Sequence, residues 1–81
     1  MHITVRLFAG AAQQAGVRSV ALELPEGATV AAARDALLLQ LPQLKPLSAV
    51  SLWATETAVL DDSALLKPDS ELAMIPPVSG G

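Results

Sequence analysis

The chain has 81 residues, room for one core and no second domain. Its net charge of −3, with five Lys and Arg in all, argues against nucleic acid or an anionic membrane as partner, because both demand a basic face. It has no cysteine, which excludes a disulfide and any side-chain thiol for sulfur or redox chemistry, and its 52% apolar content argues for a folded core over disorder.

No basic region followed by an apolar run opens the chain, and no apolar stretch approaches the roughly 20 residues of a membrane span. A soluble, cytoplasmic protein is the expectation.

Residues 2–8 alternate, with Ile3, Val5 and Leu7 on one side and His2, Thr4, Arg6 and Phe8 on the other. That is the pattern of a half-buried strand. Residues 9–15 are rich in Ala and Gln and run to Gly16, a short helical turn with a glycine cap. Residues 18–24 alternate again, with Val20, Leu22 and Leu24 on one face, and Pro25-Glu26-Gly27 closes them as a turn. Thr29 is a good N-cap for a helix starting at Val30. Val30, Ala33, Leu37, Leu38 and Leu41 then form one stripe at helical spacing, and Pro42 stops the helix. A loop containing Pro46 should follow.

Val50, Leu52 and Ala54 alternate with Ser51 and Trp53, which predicts a third strand. Thr55-Glu56-Thr57 reads as a turn into a short strand at 58–60. Asp61-Asp62-Ser63 caps a brief turn carrying Leu65 and Leu66. Residues 67–70 are a further turn and residues 71–75 a last strand.

One helix cannot cover both faces of a sheet. The simplest arrangement is α+β: a curled mixed sheet with the helix at 30–41 packed across one face. This is the β-grasp, or ubiquitin-like, architecture, in which the last strand lies parallel beside the first. The expected organisation is a domain over residues 1–75 and an extended, flexible C-terminal tail over 76–81.

Side-chain parity then sorts the apolar residues. If Ile3, Val5, Leu7, Leu72, Met74, Ala58 and Leu60 face the helix, then Phe8, Ile75 and Val59 face out. Trp53, opposed to Val50 and Leu52, is expected outside as well. Phe8 and Trp53 are the only aromatic residues in the chain. Phe8 and Ile75 would lie together at the root of the tail, an apolar patch suited to a protein partner.

Catalytic constellations are missing. The lone histidine, His2, sits beside no plausible nucleophile and reads as a solvated strand-end residue. One histidine and no cysteine leave a zinc site short of ligands. Asp61-Asp62 reads better as cap chemistry than as an acid/base pair. There is no glycine-rich phosphate loop, and Ser79 has no activating base nearby in sequence.

The chemistry therefore points to Pro76-Pro77-Val78-Ser79-Gly80-Gly81. The prolines hold an extended segment. Glycine lacks a Cβ, so Gly80 and Gly81 can thread a narrow channel. The group delivered is the carboxylate of Gly81. ATP can convert a carboxylate to an acyl-adenylate, a mixed anhydride with a good leaving group. Sulfur attack gives a thiocarboxylate, which transfers sulfur without any cysteine in the carrier. Amine attack gives an isopeptide bond instead.

At this point the chain resembles the small sulfur-carrier subunit of molybdopterin synthase. The resemblance is carried by Leu7-Phe8-Ala9, by Gly16, by Thr29-Val30 and above all by the ending from Ile75 to Gly81. Thiamine-pathway sulfur carriers and protein-conjugating modifiers share Gly-Gly but usually lack the Pro-Pro-Val.

The resemblance implies a chain with no bound cofactor and a defined set of partners. A ubiquitin-activating-like enzyme would use ATP to adenylate Gly81, and a sulfur donor would complete the thiocarboxylate. Gly80, Ser79, Val78, Pro77 and Pro76 would insert into the large synthase subunit, which uses the sulfur to build molybdopterin from cyclic pyranopterin monophosphate. Phe8, Val59 and Ile75 match positions that contact that subunit, in a heterotetramer with one small subunit at each end of a large-subunit dimer.

Three departures stand out. Ala12-Gln13 replace an Arg-Glu frequent in the short helix. Pro68-Asp69-Ser70-Glu71 replace a frequent Asp-Gly-Asp-Glu turn. Glu56 stands where an asparagine is common after the third strand. Three readings remain open: a sulfur carrier, a ubiquitin-like modifier joined to lysines through Gly81, and an interaction module with an inert tail.

Overall fold

The computed structural model describes residues 1–77; Val78 to Gly81 lie outside the described residues. Strand β1 (His2–Leu7) is followed by helix α1 (Ala9–Ala15), strand β2 (Ser19–Glu23) and helix α2 (Val30–Gln40). A 3-10 turn (Pro42–Leu44) leads into the single-turn helix α3 (Lys45–Ser48), and strands β3 (Leu52–Ala54), β4 (Val59–Leu60) and β5 (Glu71–Ile75) complete the fold. The sheet order is β2-β1-β5-β3-β4. β1 and β5 pair in parallel at the centre, and every other pairing is antiparallel. This is the expected mixed β-grasp sheet.

The register explains the core. Ile3 stands beside Leu22, Val5 between Val20 and Leu72, and Leu7 beside Met74. Ile3, Val5, Leu72 and Met74 are fully buried. From α2 the stripe of Val30, Ala33 and Leu37 meets them, also fully buried, with Leu38 and Leu41 half-buried at its margin. Gly16 closes α1 with φ of 74°, its N–H donating to the Ala12 carbonyl at 2.9 Å, the left-handed turn glycine adopts without steric cost.

The start of α2 depends on a distant loop. A helix leaves its first N–H groups without partners. Thr29 Oγ1 accepts from the Ala32 N–H at 3.2 Å. The Ala64 and Asp62 carbonyls accept from Val30 and Ala31, each at 3.0 Å. Arg34 Nη1 donates to Asp62 Oδ1 at 2.8 Å and fastens the same loop to the helix. Within the loop Asp61 Oδ1 accepts from both the N–H and the hydroxyl of Ser63.

The structure corrects four expectations. Trp53 is not outside: it is 4% exposed. It pairs with Met74 on one side and Leu60 on the other, so Leu7, Met74, Trp53 and Leu60 form one inward row across four strands. Val50 and Leu52 are the exposed ones. Val50 precedes β3, in the turn after α3, and so does not share the strand's alternation. Ala58 is exposed and lies before β4, leaving Leu60, half-buried, as the inward residue there. The loop around Pro46 is helical, and its Leu44 is a fully buried core residue. Of the pair Leu65 and Leu66, only Leu66 is buried.

Two predictions follow from this packing. Trp53→Ala should destabilise the domain by about 3–5 kcal/mol, read as a shift of the urea midpoint by circular dichroism. The Asp61 carboxyl is held below its ordinary value of 3.8, first by the Ser63 hydroxyl and then by the Ser63 N–H. A depressed folded-state value stabilises above the unfolded value and is lost as the pH falls through the depressed one. Ser63→Ala should therefore lower the urea midpoint near neutrality and reduce its further fall in acid.

Candidate functional site

The face of the sheet turned away from α2 is built from the other half of each strand. Arg6, Ala73, Ala54 and Val59 stand side by side across β1, β5, β3 and β4. The next row towards the end of β5 pairs Ile75 with Leu52. Phe8 lies one residue beyond the Leu7–Met74 pair, on the same side as Ile75. Phe8 keeps an extended backbone (φ −121°, ψ 155°), and Ala9 then enters the left-handed region at φ 48°. That turn diverts the chain from β1 into α1 and leaves Phe8 standing at the strand end. A left-handed alanine is a local cost of about 1–2 kcal/mol, held by the elements on either side of it.

Phe8, Val59 and Ile75 are exposed at 42%, 66% and 39%, so the structure puts all three outside the core and around one region of the sheet. Leu52, 56% exposed beside Ile75, joins them and was missed in the sequence. The signal available was Trp53: taking a lone tryptophan in an apolar strand as core would have turned Leu52 outward.

The middle of this surface is low. Ala54 and Ala73 carry only methyl groups where their neighbours carry long side chains, and Ala54 is buried. They floor a hollow of about 210 Å³ walled by Arg6, Phe8, Thr55, Glu56 and Glu71. Arg6 lies over the Phe8 ring at 5.9 Å from its centroid and 4.0 Å from Glu71, within cation–π range of the ring.

The polar side chains around this surface are few and mostly paired. Among the described residues no group of His, Asp and Glu could hold a metal ion. His2 is an exposed strand-end residue, its Nδ1 2.9 Å from Glu23 Oε1 across the β1–β2 pair. That hydrogen bond holds the Glu23 carboxyl below its ordinary range. No helix of the described residues is long and apolar enough to cross a membrane.

β5, the central strand next to β1, ends at Ile75, and the chain continues towards Gly81 from the edge of this surface. Pro76 is still buried and Pro77 is exposed, so the chain stays against the domain for one residue past the strand. The expected tail residues Val78, Ser79, Gly80 and Gly81 lie outside the described residues.

The family model described as the ThiS family matches residues 5–81. The chain belongs to the ThiS family. It is 37% identical over 81 residues to the molybdopterin synthase sulfur carrier subunit of Arabidopsis thaliana, covering all of this chain and 84% of that protein. Among solved structures it is similar to the small archaeal modifier protein SAMP1 of Haloferax volcanii, with 31% identity over 100% of both chains and a TM-score of 0.88. It is also similar to a Pyrococcus furiosus protein described as a molybdopterin converting factor, subunit 1, with 26% identity over 96% of this chain and 99% of that one and a TM-score of 0.85. The ThiS-family fold is ubiquitin-like, as the strand order of this sheet requires.

The exposed residues of this surface contribute little to folding. Phe8→Ala and Val59→Ala should each change stability by less than about 1 kcal/mol, whereas Leu72→Ala, on the inner face beside Val5, should cost about 2–5 kcal/mol. Urea titration of the three variants checks the division.

Proposed function

We propose that this ThiS-family chain is the sulfur-carrying small subunit of a molybdopterin synthase. The observation that carries the reading is its 37% identity to a sulfur carrier subunit across its whole length, with a family match that runs through Gly81. A supporting observation is the exposed apolar cluster of Phe8, Leu52, Val59 and Ile75 beside the end of β5. The chemistry would then sit on the Gly81 carboxylate, with catalysis supplied by partners.

In this reading an adenylating enzyme joins the Gly81 carboxylate to AMP from ATP, releasing pyrophosphate. Sulfide-level sulfur from a donor attacks the acyl carbon, AMP leaves, and a thiocarboxylate forms. The large synthase subunit docks on the surface around Phe8, Val59 and Ile75 and receives the tail, giving a heterotetramer. Sulfur passes to cyclic pyranopterin monophosphate and the carboxylate is regenerated. Residues 77–81, fully extended, span at most about 18 Å at roughly 3.3–3.6 Å per residue. The surface that docks must therefore lie within that distance of the partner's reacting centre.

A second reading has its own support. The 31% identity to a small archaeal modifier protein favours conjugation of Gly81 to lysines of other proteins. Lys67 and Lys45 each precede proline and resist trypsin, so a tryptic remnant would be long. Cleavage after Glu71 leaves a short one, residues 72–81, and is the digest that would reveal conjugates.

The test is reconstitution. Thiocarboxylated chain, the host's large subunit and cyclic pyranopterin monophosphate should yield molybdopterin, and a chain lacking Gly81 should yield none while remaining folded. Product formation by the truncated chain would overturn the sulfur-carrier reading. Residues 72–81 linked to lysines, without any molybdopterin, would favour the modifier.

A further inference from the structure

We propose that the hollow over Ala54 and Ala73 receives one long cationic side chain, a Lys or Arg, from the docking partner, with its stem on Phe8 and the two alanines and its charge against Glu56. The partner's identity rests on the sulfur-carrier reading; the recognition chemistry does not.

Three observations converge. The first is size and polarity. At about 210 Å³ the hollow has room for one such side chain. The floor is methyl groups, and the Phe8 ring and the carboxylates of Glu56 and Glu71 are among the walls. Lys and Arg are the side chains that lay an apolar stem on such a floor and keep the charge at its edge.

The second is charge. Arg6 is already engaged, 4.0 Å from Glu71 and over Phe8. Glu56 has no ion-pair partner among the described residues. A partner group entering here thus meets one uncompensated carboxylate.

The third is position. The hollow lies between Phe8 and Val59, inside the apolar surface and not beside it. Glu56 lines the same hollow as Phe8, so a partner group that fills the hollow takes its carboxylate out of water. A buried, unpaired carboxylate is strongly unfavourable, so a partner that docks here must bring a cation or leave this side of the surface open. Glu56 therefore selects the partner, rejecting surfaces that present an acidic or purely apolar knob.

Calorimetric titration of the full chain with the host's large synthase subunit tests this. Glu56→Lys should weaken binding about tenfold or more at low salt, with the deficit shrinking at high salt as screening grows. Glu56→Gln should weaken it about threefold. Ala73→Leu, which fills the hollow, should cost about tenfold at any salt. Phe8→Asp reports whether this face docks at all, and circular dichroism confirms that each variant is folded. Should Ala73→Leu fail to fold, the two exposed Glu56 variants decide the matter. Glu56→Lys within twofold of wild type, with Phe8→Asp impaired, would overturn the cation site and leave the carrier reading standing. Wild-type binding unaffected by Phe8→Asp places docking on another face and overturns it too. Absence of any binding by the wild-type chain would remove both the site and the carrier reading.

Discussion

The parallel pairing of β1 with β5 is the constraint on which the rest of this structure depends. Residues distant in sequence are brought to the centre of one sheet, Val5 beside Leu72 and Leu7 beside Met74. Parallel neighbours cannot be joined by a tight turn, so everything between them forms one long crossover. That crossover contains α2, which covers the inner face, and the strands that flank the central pair. The same pairing fixes where the chain leaves the sheet. β5 ends beside the end of β1, so Ile75 and the exposed Phe8 are neighbours by construction.

A sheet covered on one face divides its residues by parity, and here the division separates the buried core from an exposed apolar surface. Large side chains fill the inner rows, with Trp53 packed between Met74 and Leu60. The outer rows hold Phe8, Ile75, Leu52 and Val59 around two alanines. Small residues at the middle of an outer face add little to the core, but they shape the surface a partner meets. The loop at 61–66, tied to α2 through backbone carbonyls and the Arg34–Asp62 pair, keeps the helix start in place beneath the sheet.

Much of this was legible from local chemistry. Thr29 marked the start of α2, Gly16 the end of α1, and the stripe from Val30 to Leu37 marked the buried face. Each depends on residues within a few positions of one another. Phe8, Val59 and Ile75 were placed outside by alternation alone, and they are outside. Trp53 went wrong because β3 has only three residues and its facing is set by pairing with β5, a contact far away in sequence. Val50 looked like part of that alternation but belongs to the turn before it. Leu44 was hidden because two prolines, Pro42 and Pro46, read as loop while their backbone geometry suits the first turn of a helix. The hollow over Ala54 and Ala73 was not legible at all: two alanines become neighbours only through the β3–β5 register. The reading of Gly80 and Gly81 came from residue type and motif alone, and both lie outside the described residues.

The proposed carrier role places the chemistry on Gly81 and docking on the exposed apolar surface at the end of β5. The group in transit would sit on the carboxylate, and partners would supply the activation and the acceptor. The most direct measurement is the fragment mass spectrum of the C-terminal peptide after incubation with ATP, a sulfur donor and the host's adenylating enzyme. A sulfur carrier must show oxygen exchanged for sulfur at Gly81. Fragmentation is needed because oxidation of Met1 or Met74 is nearly isobaric with that exchange. An unmodified Gly81 beside a demonstrably active enzyme would contradict the carrier role.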